Sequence, residues 1–131
     1  FAKEFAKVRN LAVRQGVDHD LEVRQRLARA YGELEIMRWS GMRNVTRFMQ
    51  GGQPGPEGSI GKLFWSKWHQ RLGELAADLL GAAAMVWSPE HSVEHDMQHT
   101  FLFSRSHTIY AGSSEIQRNI LGERVLGLPR D

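Results

Sequence analysis

The sequence predicts an all-α protein, an up-down helical bundle. Three observations lead there. Apolar residues recur every three or four positions over long stretches, the spacing that lines one face of a helix. No segment alternates apolar and polar residues with period two, as a half-buried strand would. A dense run of helix-rejecting residues, Gly51-Gly52-Gln53-Pro54-Gly55-Pro56-Glu57-Gly58, separates two long periodic segments. Long amphipathic helices joined by a short connection pack antiparallel.

The first helix is expected from Phe1 to about Arg14, with apolar residues at 1, 5, 8 and 12. Gly16 and the cluster Asp18-His19-Asp20 interrupt it. Asp20 is placed to N-cap the next helix, with Glu22 in its first turn. That helix is expected to reach about Met49. Its predicted buried stripe is Val23, Leu27, Ala30, Tyr31, Leu34, Met37, Met42, Val45 and Phe48. Ser59 reads as the cap of a third helix carrying Ile60, Leu63, Phe64, Trp68, Leu72, Leu75, Leu79 and Ala83 on one face. It fades near Trp87-Ser88-Pro89. A short helix is expected near Asp96 to Ser104. The last begins at Ser113 or Ser114 and stops before Gly127-Leu128-Pro129. The stripes hold more aromatics and Met than a minimal four-helix core needs, which fits either a large core or a face for a second chain or cofactor.

At 131 residues the chain is one domain, spanning 1–131. It starts at Phe1 without an initiator Met, so a fragment of a longer chain is expected. No apolar run approaches the ~20 residues of a membrane span, and no secretory leader is visible. Cysteine is absent, which excludes disulfides and zinc-thiolate sites and fits a cytoplasmic protein. The net charge is +2. Arg24, Arg26, Arg29, Arg38, Arg43 and Arg47 cluster, but Glu22, Glu33 and Glu35 interleave with them, the pattern of a solvated helix face. Nucleic acid is not expected as a partner. If helical, His91, His95 and His99 fall on one face at metal-ligand spacing. A His-rich polar surface is the preferred reading, and no metal is assigned. Trp39, Trp65, Trp68 and Trp87 read as core or interface packing. Arg105 and His107 read as local packing and capping groups.

The sequence Gly112-Ser113-Ser114-Glu115 is an N-cap: a flexible glycine, a hydroxyl for the free amides, and an acid in the first turn. Exposed amides at such a helix start also suit an anionic or carbonyl-bearing ligand. The segment around it, Tyr110 to Asp131, reads YAGSSEIQRNILGERVLGLPRD and resembles the C-terminal signature of the acyl-CoA dehydrogenase family. The stretches Gly55 to Leu63, Leu75 to Gly81 and Val23 to Ala28 are similar to further parts of that family's C-terminal helical domain. The family's N-terminal helical domain and middle β-domain have no counterpart here.

The resemblance implies an FAD-dependent enzyme that desaturates an acyl-CoA between its α- and β-carbons. It implies flavin contacts from Gly112, Ser113 and Glu115, and subunit interfaces built from the bundle. In many members a catalytic glutamate follows the tyrosine; here that residue is Ala111, so no catalytic residue is assigned. Other members carry the glutamate on an earlier helix, which by rough alignment lies upstream of Phe1. The alternative is a non-catalytic partner in a heteromeric dehydrogenase, resembling bacterial two-gene dehydrogenases, several of them linked to steroid side chains. The family's Arg-x-Thr-Phe contact to the FAD of a neighbouring subunit is matched only by Arg14, because Gln15-Gly16-Val17 follows. Near the end of the second long helix, where FAD from another subunit lies in the family, Asp78 stands near a family Gln. Gly81-Ala82-Ala83-Ala84 replaces a Gly-Gly-x-Gly. Gly81 remains as a cofactor contact, but methyl groups and an acid beside a diphosphate weaken that half-site.

Overall fold

The computed structural model describes residues 1–53, 55, 58–87 and 92–130. Among these are five α-helices and no strand: α1 Ala2–Arg14, α2 Leu21–Met49, α3 Gly58–Leu80, α4 Ser92–Phe103 and α5 Ser114–Arg124. Two 3₁₀ turns, Gly81–Met85 and Ser106–Thr108, join the later helices. The all-α reading is correct.

The helix ends follow local chemistry. Asp20 accepts from the amides of Glu22 and Val23 at 2.8 and 3.0 Å, the expected N-cap. After α1, Gly16 takes φ +69°, its amide donates to Val13, and Val17 donates to Ala12. That is a Schellman close, and it explains why Gln15-Gly16-Val17 follows Arg14: these residues end a helix. Gly51 repeats the device after α2, with φ +82°. Ser59, expected as a cap, lies instead inside the first turn of α3 and is buried.

The third helix organises the bundle. Ion pairs Arg26–Asp78 at 2.7 Å and Arg71–Glu33 at 2.8 Å set α2 antiparallel to it. Arg105–Glu74 at 3.0 Å, together with Gln98 donating to Ala83 at 3.0 Å, sets α4 antiparallel on another side. Phe1 packs on Trp65 and Trp68, and Lys7 pairs with Asp96, so α1 runs alongside α3 in the same direction. The core is Val8, Leu11, Trp68, Leu72, Leu75, Ala76, Leu80 and Met97, with Ala30 from α2. Trp68 is fully buried and donates its indole N–H to the Ala30 carbonyl at 2.9 Å.

The predicted stripe of α2 is corrected by the structure. Of its nine residues only Ala30 is buried, while Tyr31, Met42, Val45 and Phe48 are exposed. The periodicity is helical, but the far half of α2, although it lies opposite the first half of α3 across a groove, keeps most of its apolar side chains exposed. Ile36, Trp39 and Met49 add to that apolar surface. Of the face predicted for the third helix, Ile60 is exposed, and Ala83 is exposed and lies beyond the end of α3, in the 3₁₀ turn Gly81–Met85.

Candidate functional site

The site is built on the turn between the second 3₁₀ element and α5. Tyr110 is followed by Ala111 at φ +54° and Gly112 at φ +95°. Ala111 is the sole non-glycine residue with positive φ among those described. Left-handed backbone at alanine costs roughly 1–2 kcal/mol, so the surroundings must enforce it. They do so through two carbonyls. The buried Gln117 amide donates to the Ala111 carbonyl at 2.8 Å. The Lys62 ammonium donates to the Gly112 carbonyl. A Cβ added at Gly112 would lie 2.7 Å from Gln117 Nε2. Gly112 is thus required both for its backbone angle and for the approach of Gln117.

Ser113 then caps α5, its hydroxyl accepting from the Ile116 amide at 3.4 Å. Glu115 is exposed in the first helical turn, with Arg118 3.5 Å away. Its own backbone amide, and next the Ser113 hydroxyl, hold its carboxyl below the usual carboxylate range. Ser114 points inward, and its buried Oγ meets no protein partner among the described residues. The amides that open α5 have no partner inside the helix by construction. Beside the turn a cleft of about 550 Å³ is lined by Gly58, Ser59, Lys62, Gln117, Ile120 and Arg124, with two cations on its walls.

Gly112, Ser113 and Glu115 are therefore brought together, while Arg14 and Gly81 are not brought to them. Gly81 follows the last turn of α3, at φ +56°, and an added Cβ there meets nothing within 4 Å. Lys62 and Gly81 are 19 positions apart in sequence, about 28 Å along a helix axis. Arg14 ends α1, which runs parallel to α3, and so lies toward the Gly81 end. Asp78 at that end is bound by Arg26 at 2.7 Å, so its charge is offset. His107, read from sequence as a local packing group, instead belongs to a buried pair with His69. Arg105 packs as expected, stacked on Phe101 and paired with Glu74. His91 lies outside the described residues. His95 packs edge-on against Trp87, and no three His, Asp or Glu among the described residues are placed to hold a metal. No helix among the described residues is long and apolar enough to cross a membrane.

Sequence reasoning missed Lys62, Gln117 and the His69–His107 pair. A signal existed for two of them: His69 and Gln117 are polar residues at buried positions of amphipathic helices.

The geometry yields a first prediction. Gly112→Ala is expected to cost about 2 kcal/mol, from left-handed strain plus displacement of the Gln117 bond. Gly127→Ala, at φ +68° with open space around it, should cost about half as much. Urea unfolding of the two variants checks the difference.

Comparison with known proteins accords with this arrangement. The profile of the acyl-CoA dehydrogenase C-terminal domain matches residues 1–126. The chain is 41% identical over 131 residues to acyl-CoA dehydrogenase IpdE1 of Mycolicibacterium smegmatis, covering all of this chain and 32% of that protein. It is 39% identical over 137 residues to IpdE1 of Mycobacterium tuberculosis, again over the whole chain and 33% of the relative. The chain thus spans about a third of the length of these relatives. Among solved structures, the Tcur3481-Tcur3483 steroid ACAD superposes with TM-score 0.84 over 99% of this chain and 34% of that one, at 23% identity, a likeness of fold. The ChsE4-ChsE5 complex from Mycobacterium tuberculosis superposes with TM-score 0.79 over 98% and 35%, at 25% identity. A chain with the family's helical domain from end to end, and its turn before the last helix, belongs to the acyl-CoA dehydrogenase family.

Proposed function

We propose that this chain is the C-terminal helical domain, over 1–131, of an FAD-dependent acyl-CoA dehydrogenase acting in lipid metabolism. In this reading it contributes flavin contacts and a subunit interface. The observation that carries it is the Ala111-Gly112-Ser113 turn, held by Lys62 and Gln117 at the open N-terminus of α5. The residues fit a flavin edge. The first amides of α5 have no partner inside the helix, and the cleft beside them, with Lys62 and Arg124, suits an anion. Bound there, FAD would supply the acceptor for a hydride leaving the acyl β-carbon. Ser113 and Glu115 would contact the flavin, while Arg14 and Gly81, at the opposite end of the bundle, would serve the FAD of another subunit. The two-ended placement supports that division.

The chain's own residues position a ligand and do not take the α-proton: Ala111 has no acid or base to offer. The base would then come from a segment upstream of Phe1, or from a partner chain. The second reading, a non-catalytic subunit of a heteromeric dehydrogenase, is favoured by one observation. Ala111 is held in left-handed backbone, so the turn is kept while the carboxylate is missing. The ChsE4-ChsE5 relative is itself described as a complex of two proteins.

The exposed apolar half of α2 supports the interface. Ile36, Met37, Ile60, Phe64 and Trp65 line a groove of about 270 Å³ that continues into this surface. Packing against a like or unlike subunit, as homo- or hetero-oligomer, would cover it.

The test is the visible spectrum of the full-length chain, purified alone and with a co-expressed partner. A flavin band that weakens at least tenfold in Ser113→Ala, at equal protein and with the fold intact by circular dichroism, is the expected result. A folded protein without flavin in both preparations overturns the reading. Turnover of acyl-CoA by the chain alone identifies a catalytic subunit; turnover only with the partner identifies the second reading.

A further inference from the structure

A pair of buried imidazoles lies just behind the turn. His69 on α3 and His107 in the second 3₁₀ turn face each other with Nδ1 to Nδ1 at 2.8 Å, their rings stacked at 4.7 Å and 10°. Both are buried, at 5% and 6% exposure. The far nitrogen of His69 sits 3.4 Å from the Glu4 carboxylate of α1. Aromatic rings enclose the rest: Trp65, Phe103 and Tyr110 surround His107, while Phe1 and Trp68 flank His69.

A contact of 2.8 Å between two Nδ1 atoms has room for one proton. One ring must donate and the other accept. Glu4 favours a proton on the far nitrogen of His69, so the neutral pair is read as His107 donating to a bare His69 Nδ1. A first extra proton is accommodated without breaking that bond, because either ring can become the charged donor and Glu4 is a counter-charge. A second extra proton is not. Both Nδ1 atoms would then carry hydrogen, and two cations would face one another in an aromatic enclosure.

We propose that His69 and His107, backed by Glu4, form an acid-sensitive latch: it ties the 109–113 turn to α1 and α3, and releases that turn when the pair takes up its second extra proton. The charged and titratable groups facing the pair are few. Among the described residues, Glu4 comes from α1, Lys62 from α3 and Tyr110 from the turn itself, while from α4 the Phe103 ring meets it, with His99 stacked behind that ring. Lys62, which also holds the Gly112 carbonyl, opposes further charge on His107. Burial first, and then the charge of His69, hold His107 below its ordinary 6.5. The sign follows. A depressed imidazole binds its proton more weakly folded than unfolded, so stability is full above about pH 6.5 and falls as the pH drops below it. The latch depends on no cofactor assignment, and its test reads none.

The experiment uses the full-length chain. Long-range proton–nitrogen spectra at pH 7.5 should show one ring with Nδ1 protonated and the other with Nδ1 bare. Hydrogen exchange of the 109–113 amides, corrected for intrinsic rates, should accelerate at least fivefold from pH 7.5 to 5.5, while amides of α2 stay unchanged. In His107→Phe, which keeps a ring in the stack, the folding equilibrium should lose most of its decline between pH 6.5 and 5.5. Two rings that both leave Nδ1 unprotonated overturn the proposal, as does a His107→Phe variant with an unaltered acid decline. Should that variant fail to fold, the spectra and exchange of the unsubstituted chain decide alone.

Discussion

Trp68→Ala is expected to unfold the domain or bring it close to unfolding. The indole is fully buried in the middle of α3, and the core residues Leu72, Val8, Leu11 and Ala30 gather around the same seam. Truncating a buried Trp to Ala typically costs 3–5 kcal/mol, through lost transfer free energy and the cavity left behind. The Ala30 carbonyl also loses its indole partner, which adds about 1 kcal/mol. A total near 5 kcal/mol is most or all of the stability of a typical domain. Trp68→Phe separates the two terms. It restores most of the apolar volume but not the donor, and should cost about 2 kcal/mol. Urea unfolding followed by helical circular dichroism checks both. If Trp68→Ala lost less than about 2 kcal/mol, α3 could not be the packing centre described here. The effect would reach the site, because His69 stacks on the same indole and Lys62 lies on the same helix.

Much of this was legible in the sequence, and the reason is local. Asp20 and Ser113 cap their helices because a short polar side chain before an apolar run has one favourable use. The Gly-rich breaks mark real helix ends because only glycine takes positive φ cheaply. Periodicity located α1, α2 and α3 but could not say what each face meets. Met42, Val45 and Phe48 have the spacing of a core stripe and are exposed, since spacing reports the helix and not its partner. The 3₁₀ turns were not seen: five residues, Gly81-Ala82-Ala83-Ala84-Met85, carry no period to read, and their carbonyls are capped from α4 by Gln98. The histidine pair joins residues 38 positions apart, and only the packing of α3 against the second 3₁₀ turn brings them together. At the turn, the sequence supplied Gly112, Ser113 and Glu115, whereas Lys62 entered through the fold alone.

The second large effect is expected at Gly73, where propensity and packing pull in opposite directions. Gly73 lies in the interior of α3, and a helix-interior glycine replaced by alanine ordinarily gains about 1 kcal/mol. Here an added Cβ would sit 2.8 Å from the Phe101 Cα, 3.2 Å from its amide nitrogen and 3.3 Å from the Thr100 carbonyl. All three are backbone atoms of α4, so no side-chain rotation relieves the clash; the helices must separate. Separation strains what is anchored along α4: the Met97 side chain in the core, the Arg105–Glu74 ion pair and the Gln98 caps. Overpacking of this kind costs about 1–3 kcal/mol and sometimes more. Gly73→Ala should therefore destabilise by about 1–2 kcal/mol net, and Gly73→Val, with its branched carbon, by about 3 kcal/mol. The sign is the decisive reading. A stabilised Gly73→Ala would mean that α3 and α4 stand further apart than described. A destabilised one shows that their spacing is set by this glycine. Since α4 leads directly into His107 and Tyr110, displacing it should also loosen the turn, measured as faster hydrogen exchange at 109–113 in Gly73→Ala while the α1–α2 amides keep their protection.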